Sequence, residues 1–232
     1  MCGFAGFCDY SDHESNLLDE KYLAIALCRR MARRLSHRGP DSEGAHVSKN
    51  CALGHARLAV IDPQNGKQPM TVIRDGRECT IAYNGELYNA PQLRADLESR
   101  GYRFLTDCDT EVVLNAYLCY GEQCPEKLNG IFAFAVDDGI NGRTFLCRDR
   151  FGVKPLFYTV KNERLAFGSE IKALFEFPGV NPVVGRRGLC EIFGLGPART
   201  PGCGVFDDID ELLPGYYAIY DQDGLRAHRY FQ

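Results

Sequence analysis

Apolar residues recur at helical spacing in three segments of the chain, residues 19–35, 90–100 and 110–120. In the first segment the apolar positions lie four residues apart, at Leu23, Leu27, Met31 and Leu35. This spacing places them on one face and predicts an amphipathic helix with Asp19 as its N-cap. The second helix is expected to have Asn89 as its cap and a proline in its first turn, and both later helices should end at a glycine.

Short apolar runs elsewhere in the chain predict β-strands. They lie at residues 3–7, 80–83, 131–136, 144–147, 156–160, 165–168 and 216–220. The Asp-Gly dipeptides at 138–139 and 223–224 are turn signals and predict antiparallel pairing. The run at 131–136 is continuously apolar, which indicates a strand that is buried on both faces. The pattern therefore predicts a layered α+β domain, with a second sheet on one face of such a strand and helices on the other.

Composition and charge narrow the class of protein further. The chain has 232 residues, a formal net charge of −4, 45% hydrophobic and 25% charged residues, which is typical of a globular domain with a substantial core. No dense run of Lys and Arg marks a nucleic-acid surface. No apolar run approaches the ~18 residues of a membrane span, and the first residues lack the basic region of a signal peptide. We therefore expect a single cytoplasmic domain over residues 1–232. It should bind neither nucleic acid nor a membrane.

Eleven cysteines are scattered along the chain, an odd number without any CxxC pair. This arrangement predicts neither a disulfide framework nor a metal site. Most of the cysteines lie in apolar runs, where a reduced cysteine acts as a small hydrophobic residue. Only Cys2 calls for a different interpretation, because of its position.

Cys2 becomes the first residue if the initiator Met1 is removed. It would then carry both a thiol and an α-amine, whose reference pKa of ~7.7–8.0 leaves part of the amine unprotonated near neutral pH. A nucleophile and a general base in one residue are the working parts of N-terminal nucleophile hydrolases. The apolar strand predicted at 3–7 would anchor the terminus. The alternative is that position 2 is an ordinary surface residue.

Three further positions carry candidate chemistry. Asn84-Gly85 follows a predicted strand, so it is either a turn or an oxyanion hole. In an oxyanion hole the Asn84 amide and the Gly85 backbone N–H would donate hydrogen bonds, each of which would lower the activation barrier by about 3 kcal/mol. Arg57 lies between apolar residues and is either part of a structural ion pair or a fork for a carboxylate ligand. Asp109 is either a helix N-cap or a carboxylate of the site.

Seven strings occur in one order along the chain, namely MCGFAGF, LSHRGPDSEG, LGHARLAVID, YNGELYN, CRDRFGVKPLFY, FGSEIKAL and LPGYYAIYDQDG. Together they resemble the glutaminase domain of asparagine synthetases that use glutamine, which is a class II, or N-terminal nucleophile, amidotransferase. The resemblance covers nearly the whole chain. It implies a four-layer αββα sandwich with mostly antiparallel sheets, in agreement with the layered α+β prediction.

The resemblance also implies a role for each candidate. Cys2 would be the nucleophile, Asn84 and Gly85 the oxyanion donors, and Arg57 the clamp on the glutamine α-carboxylate. The remaining residues of the glutamine pocket would be Leu58, Ala59, Val60, Ile61, Glu86 and Asp109, the last facing the α-ammonium. The Cys2 thiolate would attack the side-chain amide, ammonia would leave, and water would hydrolyse the glutamyl thioester to glutamate. This reaction requires no metal or cofactor.

One departure from the asparagine synthetase pattern concerns ATP. Those enzymes continue into a synthetase domain with a pyrophosphate loop, and no such loop is present here, since segment 193–197 is not a phosphate cradle. ATP and magnesium are therefore expected only for a synthetase domain that lies downstream or in trans. The surface that meets it should be exposed and apolar, with a homodimer as one possible assembly. Two alternatives stay open: the same domain serving another ammonia acceptor, and a catalytically silent glutamine-binding or regulatory module.

Overall fold

Two six-stranded sheets form the centre of the computed structural model, which describes residues 1–11, 16–74, 76–196 and 198–232. The helices are α1 (Lys21–Arg33), α2 (Ala90–Ser99), α3 (Asp109–Tyr120), α4 (Cys124–Lys127), α5 (Ile171–Leu174) and α6 (Arg186–Leu195). The strands are β1 (Gly3–Asp9), β2 (Ser42–Val47), β3 (Cys51–Arg57), β4 (Met70–Arg74), β5 (Arg77–Leu87), β6 (Gly130–Asp138), β7 (Arg143–Arg148), β8 (Phe157–Lys161), β9 (Arg164–Gly168), β10 (Asp210–Glu211), β11 (Tyr216–Asp221) and β12 (Gly224–Arg229).

The sheets and helices form four layers. The first sheet has the order β10-β8-β9-β1-β3-β2 and the second β12-β11-β7-β6-β5-β4, with antiparallel neighbours. The core between the sheets includes Phe4, Leu53, Ala133, Leu146 and Phe167. Helices α1 and α5 cover the outer face of the first sheet, and α2 and α3 that of the second. This arrangement confirms the predicted αββα sandwich.

Strand β6 explains why a continuously apolar run indicates layers. Phe132 and Phe134 pack into the core beneath α2 and α3, whereas Ala133 and Ala135 face the first sheet. All four side chains are buried, because both faces of the strand are covered. Both Asp-Gly hairpins are also confirmed, since β6 pairs with β7 and β11 with β12 in antiparallel register.

The predicted helices are confirmed, but the details of the first were wrong. Helix α1 begins at Lys21, so Glu20 and not Asp19 occupies the N-cap position. Leu23 is 62% exposed, and the buried stripe runs through Ala24 and Leu27 instead. A strict four-residue interval turns by about 40° per step around a helix of 3.6 residues per turn. Over three steps the first leucine therefore rotates away from the face that is buried.

Several elements were not predicted from the sequence. No strand was predicted at β2, β3, β4, β10 or β12, and no helix at α4, α5 or α6. Helix α6 contains two glycines and exposes Leu189, Ile192 and Phe193, the last at 84%. An exposed apolar surface of the expected kind therefore lies on this helix. Residues 193–195 of the segment at 193–197 belong to α6, and Pro197 lies outside the described residues.

No helix within the described ranges combines the length and the apolar character that crossing a membrane requires.

Candidate active site

Cys2 lies at the start of β1, a central strand of the first sheet. Strand β1 pairs with β3 on one side and β9 on the other, and every residue from Gly3 to Asp9 is buried. The chain terminus is therefore held in place. Gly3 is opposite Ala56, so Cys2 lies next to the segment that follows β3. There its Sγ accepts a hydrogen bond from the backbone N–H of Leu58 at 3.3 Å.

Asn84 and Gly85 lie within β5 of the second sheet, so the interpretation of this dipeptide as a turn was wrong. Their partners across the ladder are Ala133 and Phe132 on β6. A Cβ on Gly85 would lie 2.6 Å from the carbonyl oxygen of Ile131, so the glycine is required by close packing against β6. Extended backbone at this point leaves the Asn84 side chain on the face that borders Cys2.

Arg38 connects Cys2 to Asn84. Its Nε donates to the Cys2 carbonyl oxygen at 2.9 Å. With the Asn84 amide oxygen turned towards the guanidinium, Asn84 Oδ1 accepts from Arg38 Nη2 at 3.3 Å and Nδ2 donates to the Cys2 carbonyl at 3.0 Å. The contacts of Arg38 were not predicted, because they join three segments that lie far apart in the sequence.

Glu170 fixes the other side of the Arg38 guanidinium. Arg38 Nη1 donates to Glu170 Oε1 at 2.9 Å, and Lys172 and His37 contact the same carboxylate. Burial alone would raise the pKa of Glu170, but hydrogen bonds from Arg38, Lys172 and His37 lower it to about 2. The carboxylate therefore stays charged over the working pH range and holds Arg38 in place.

An open pocket of about 660 Å³ lies beside Cys2. Of the residues predicted for the site, those that line it are Cys2, Arg57, Leu58, Val60, Ile61, Asn84, Gly85, Glu86 and Asp109. Ala59 does not line it. Its N–H donates to Asp41 Oδ2 at 2.8 Å, and the residue borders a neighbouring depression. The pocket is thus formed by residues that lie far apart in the sequence, brought together by both sheets.

Arg57 forms the end of β3 and is 6% exposed. Its guanidinium donates to the carbonyl oxygens of Pro63 at 2.8 Å, Asp62 at 2.7 Å and Ile61 at 3.3 Å. Because these acceptors are uncharged carbonyl groups, the hydrogen bonds fix the loop after β3 but do not neutralise the charge of the Arg57 guanidinium. Arg57 therefore leaves a positive charge on the wall of the pocket, which suits a carboxylate ligand.

Asp109 is the first residue of α3, and Cys108 occupies the N-cap position, so the N-cap interpretation of Asp109 was wrong. Asp109 Oδ2 accepts from the Tyr83 hydroxyl at 3.2 Å and from the Leu87 N–H at 3.0 Å. Burial raises the pKa of Asp109, although these two hydrogen bonds act in the opposite direction. A carboxylate thus lies on the wall of the same pocket as the Arg57 guanidinium.

Two more charged side chains line the pocket, Glu86, which is exposed, and Lys154, which is 4% exposed. Lys154 was not predicted as a residue of the site. Across the described ranges, no group of three or more His, Cys, Asp or Glu side chains is arranged to hold a metal ion. All eleven cysteines are free.

Comparison with known proteins shows the family to which the chain belongs. A family model described as the glutamine amidotransferase domain matches residues 1–231. The glutamine-hydrolysing asparagine synthetase 3 of Bacillus subtilis (strain 168) is 46% identical over 231 residues, which cover 100% of this chain and 36% of that protein. A putative glutamine-hydrolysing asparagine synthetase 2 of Methanocaldococcus jannaschii is 31% identical, with 87% of this chain and 42% of that protein covered.

A solved structure shows the same fold. The glutamine phosphoribosylpyrophosphate amidotransferase of B. subtilis, complexed with ADP and GMP, has a TM-score of 0.70 at 20% identity, covering 99% of this chain and 49% of that chain. The fold and the family match together define a glutamine amidotransferase domain. The chain belongs to the glutamine amidotransferase domain family, in its class II branch, and is an enzyme domain. It spans 36% and 42% of the length of the two asparagine synthetases described above.

Proposed function

We propose that this domain hydrolyses the side-chain amide of glutamine to glutamate and ammonia through a thioester on Cys2. The observation that carries the proposal is that Cys2 and Asn84, from opposite sheets, meet at one pocket. Nδ2 of Asn84 lies 3.0 Å from the Cys2 carbonyl oxygen, so the amide donor borders the nucleophile. A nucleophile beside donors for an oxyanion is the arrangement that acyl transfer requires.

The first step starts from Cys2 as the amino terminus. The α-amine takes the thiol proton, and the thiolate, to which the Leu58 N–H donates at 3.3 Å, attacks the amide carbon of glutamine. The carbonyl oxygen becomes an oxyanion, which accepts hydrogen bonds from the Asn84 side chain and the Gly85 N–H. The ammonium returns its proton to the leaving nitrogen as the C–N bond breaks, and ammonia departs. Water then attacks the thioester by the same path, releasing glutamate and the thiol.

Recognition of glutamine rests on both charges at its α-carbon. In this proposal Arg57 pairs with the α-carboxylate and Asp109 with the α-ammonium, since both line the pocket. Glu86, the Gly85 backbone, Leu58, Val60 and Ile61 complete the binding site. Opposite charges on the pocket wall match a zwitterion, whereas a simple amide would leave both buried charges unpaired.

We further propose that the ammonia serves the conversion of aspartate to asparagine by an ATP-dependent synthetase domain, downstream or in trans. Support comes from the relatives, which are named glutamine-hydrolysing asparagine synthetases. The chain offers no phosphate-binding loop for ATP, so the activation of aspartate is assigned to that other part. Glutamine hydrolysis itself uses no cofactor in this scheme.

Incubating the purified chain with glutamine, aspartate, ATP and magnesium tests this division of labour. We expect glutamate and ammonia in equal amounts, no asparagine, and the same rate of glutamate formation with a chelator added. ATP-dependent asparagine would contradict the assignment of aspartate activation to another domain. No glutamate from a chain verified to begin at Cys2 would favour the silent binding module.

Replacing Asn84 by alanine should lower kcat by about 10²–10³-fold with a much smaller change in KM, because the amide acts on the transition state. Steady-state kinetics with glutamine measure the two constants. Asn115→Ala is a matched control, since Asn115 is a buried asparagine in α3 that does not line the pocket. A rise in KM alone would make Asn84 a substrate ligand.

Replacing either Arg57 or Asp109, the proposed partners of the two charges of glutamine, should raise KM for glutamine. A buried, hydrogen-bonded charge that loses its partner costs ~2–5 kcal/mol. Arg57→Lys should be damaging as well, because an ammonium cannot reproduce the guanidinium fork.

Because burial raises the pKa of Asp109, KM of the wild type should also rise as the pH falls towards that pKa. KM of Asp109→Asn should be high and insensitive to pH in the same range. Equal kcat/KM for glutamine and an amide without the α-ammonium would remove Asp109 from the binding site.

A further inference from the structure

Lys154 is held by its backbone so that its side chain enters the pocket. Its N–H donates to Asp149 Oδ2 at 3.0 Å, and its carbonyl oxygen accepts from Arg148 Nε at 2.9 Å. The residue is 4% exposed, and its ammonium Nζ lies 3.0 Å from the Met1 sulphur. The cation is therefore next to the residue that precedes the nucleophile.

The charge of Lys154 has no counter-ion of the usual kind. Within the described ranges its ammonium forms no ion pair with a carboxylate, and the polar contact of Nζ is the Met1 thioether. A buried ammonium without a carboxylate is costly, because desolvation is not offset by an opposite charge. Packing alone would be better served by an apolar side chain of the same length, which indicates that the charge itself has a use in the pocket.

The charged side chains that surround the chain terminus are Arg38, Arg57, Glu86, Asp109 and Lys154. Arg38 is paired with Glu170, and Arg57 donates to the loop carbonyls. Asp109 is bound by Tyr83 and Leu87, and Glu86 is exposed to solvent. Lys154 is thus a buried cation that contacts Met1 directly and forms no ion pair with a carboxylate among the described residues.

We propose that the Lys154 ammonium is a positioning group that keeps the α-amine of Cys2 unprotonated, an inference that rests on the proposed hydrolysis. Removal of Met1 takes away the thioether and leaves the α-amine of Cys2, the residue next to the one that Lys154 contacts, in the same pocket as Lys154. A neighbouring positive charge disfavours the protonated form of an amine, and more strongly where water is excluded. A free α-amine is largely protonated at pH 7, so this effect increases the share of enzyme that has its base ready.

The test is the pH dependence of kcat/KM for the wild type, Lys154→Met and Lys154→Arg, each shown by intact mass to begin at Cys2. We expect the midpoint of the acidic limb to move up by about one pH unit in Lys154→Met and to stay near the wild-type value in Lys154→Arg. Lys161→Met is the control, because Lys161 pairs with Asp208 at the surface, and its midpoint should not move.

A Lys154→Met midpoint equal to that of the wild type would overturn the proposal, even if the rate fell at every pH, since that result describes a merely structural residue.

A second readout does not depend on glutamine hydrolysis. In a Cys2→Ala background, acylation of the α-amine by acetic anhydride is followed across pH by mass spectrometry of the N-terminal peptide, with and without Lys154→Met. The proposal predicts a higher midpoint without the lysine, and equal midpoints would contradict it. Absence of glutamate formation in the wild type would refute the proposed function instead.

Discussion

Replacing Cys2 by alanine should abolish glutamine hydrolysis, with a loss of about 10⁴-fold or more in kcat, because the covalent path has no other nucleophile. Arg38, Asn84 and Gly85 would remain in place, but donors alone cannot form the thioester. Glutamate formation over several hours measures the residual activity, and circular dichroism shows that the variant is folded. Turnover by Cys2→Ala at a rate near that of the wild type would rule out the thioester mechanism.

Cys147 provides the matched control for this prediction. It is fully buried in β7, away from the pocket, and burial raises the pKa of its thiol, so it is not poised as a nucleophile. Cys147→Ala should lose roughly 1 kcal/mol of unfolding free energy and keep kcat. Thermal unfolding and the same glutamate assay distinguish the two cysteines. A loss of kcat in Cys147→Ala as large as in Cys2→Ala would show that thiol removal disturbs the fold rather than the chemistry.

Retention of Met1 should be nearly as damaging as the loss of Cys2. The α-amine then becomes an amide nitrogen and can no longer accept the thiol proton. The Met1 side chain also occupies the pocket, where it contacts Lys154. A removable N-terminal tag gives the sharpest comparison, since one preparation can be assayed before and after cleavage that leaves Cys2 first. Intact mass verifies each state, and full turnover before cleavage would exclude the α-amine as the base.

The layered arrangement of sheets and helices could be predicted from the sequence because the continuously apolar run in β6 indicates a strand that is buried on both faces. Strand β3 was missed although it is fully buried, because Gly54 and His55 interrupt its apolar run. Edge strands such as β2 are half-exposed and mix polar with apolar residues, so their periodicity is weak. Helix α6 was missed although Leu189, Ile192 and Phe193 lie at helical spacing, because its two glycines lower its helix propensity.

The sequence could nominate Cys2 because its candidate chemistry depends on residue type and on a position next to Met1, and Cys2 does line the pocket. The candidate site was not predictable where a role depends on which way a side chain points. Ala59 lies in the loop between Leu58 and Val60, which both line the pocket, yet Ala59 does not line it and its backbone N–H donates to Asp41. Arg38 acquires its role from contacts with Cys2 and Asn84, which lie far from it in sequence. Such contacts arise only when the two sheets pack together.

The most direct measurement of the central claim is active-site labelling with a chloroketone analogue of glutamine, in which a chloromethyl ketone replaces the side-chain amide. With a chain verified to begin at Cys2, we predict one label per molecule, located on the N-terminal peptide by mass spectrometry. Activity should be lost in proportion to labelling, and glutamine should protect. Label spread over the other cysteines, or loss of activity with Cys2 unmodified, would contradict the assignment of Cys2 as the nucleophile.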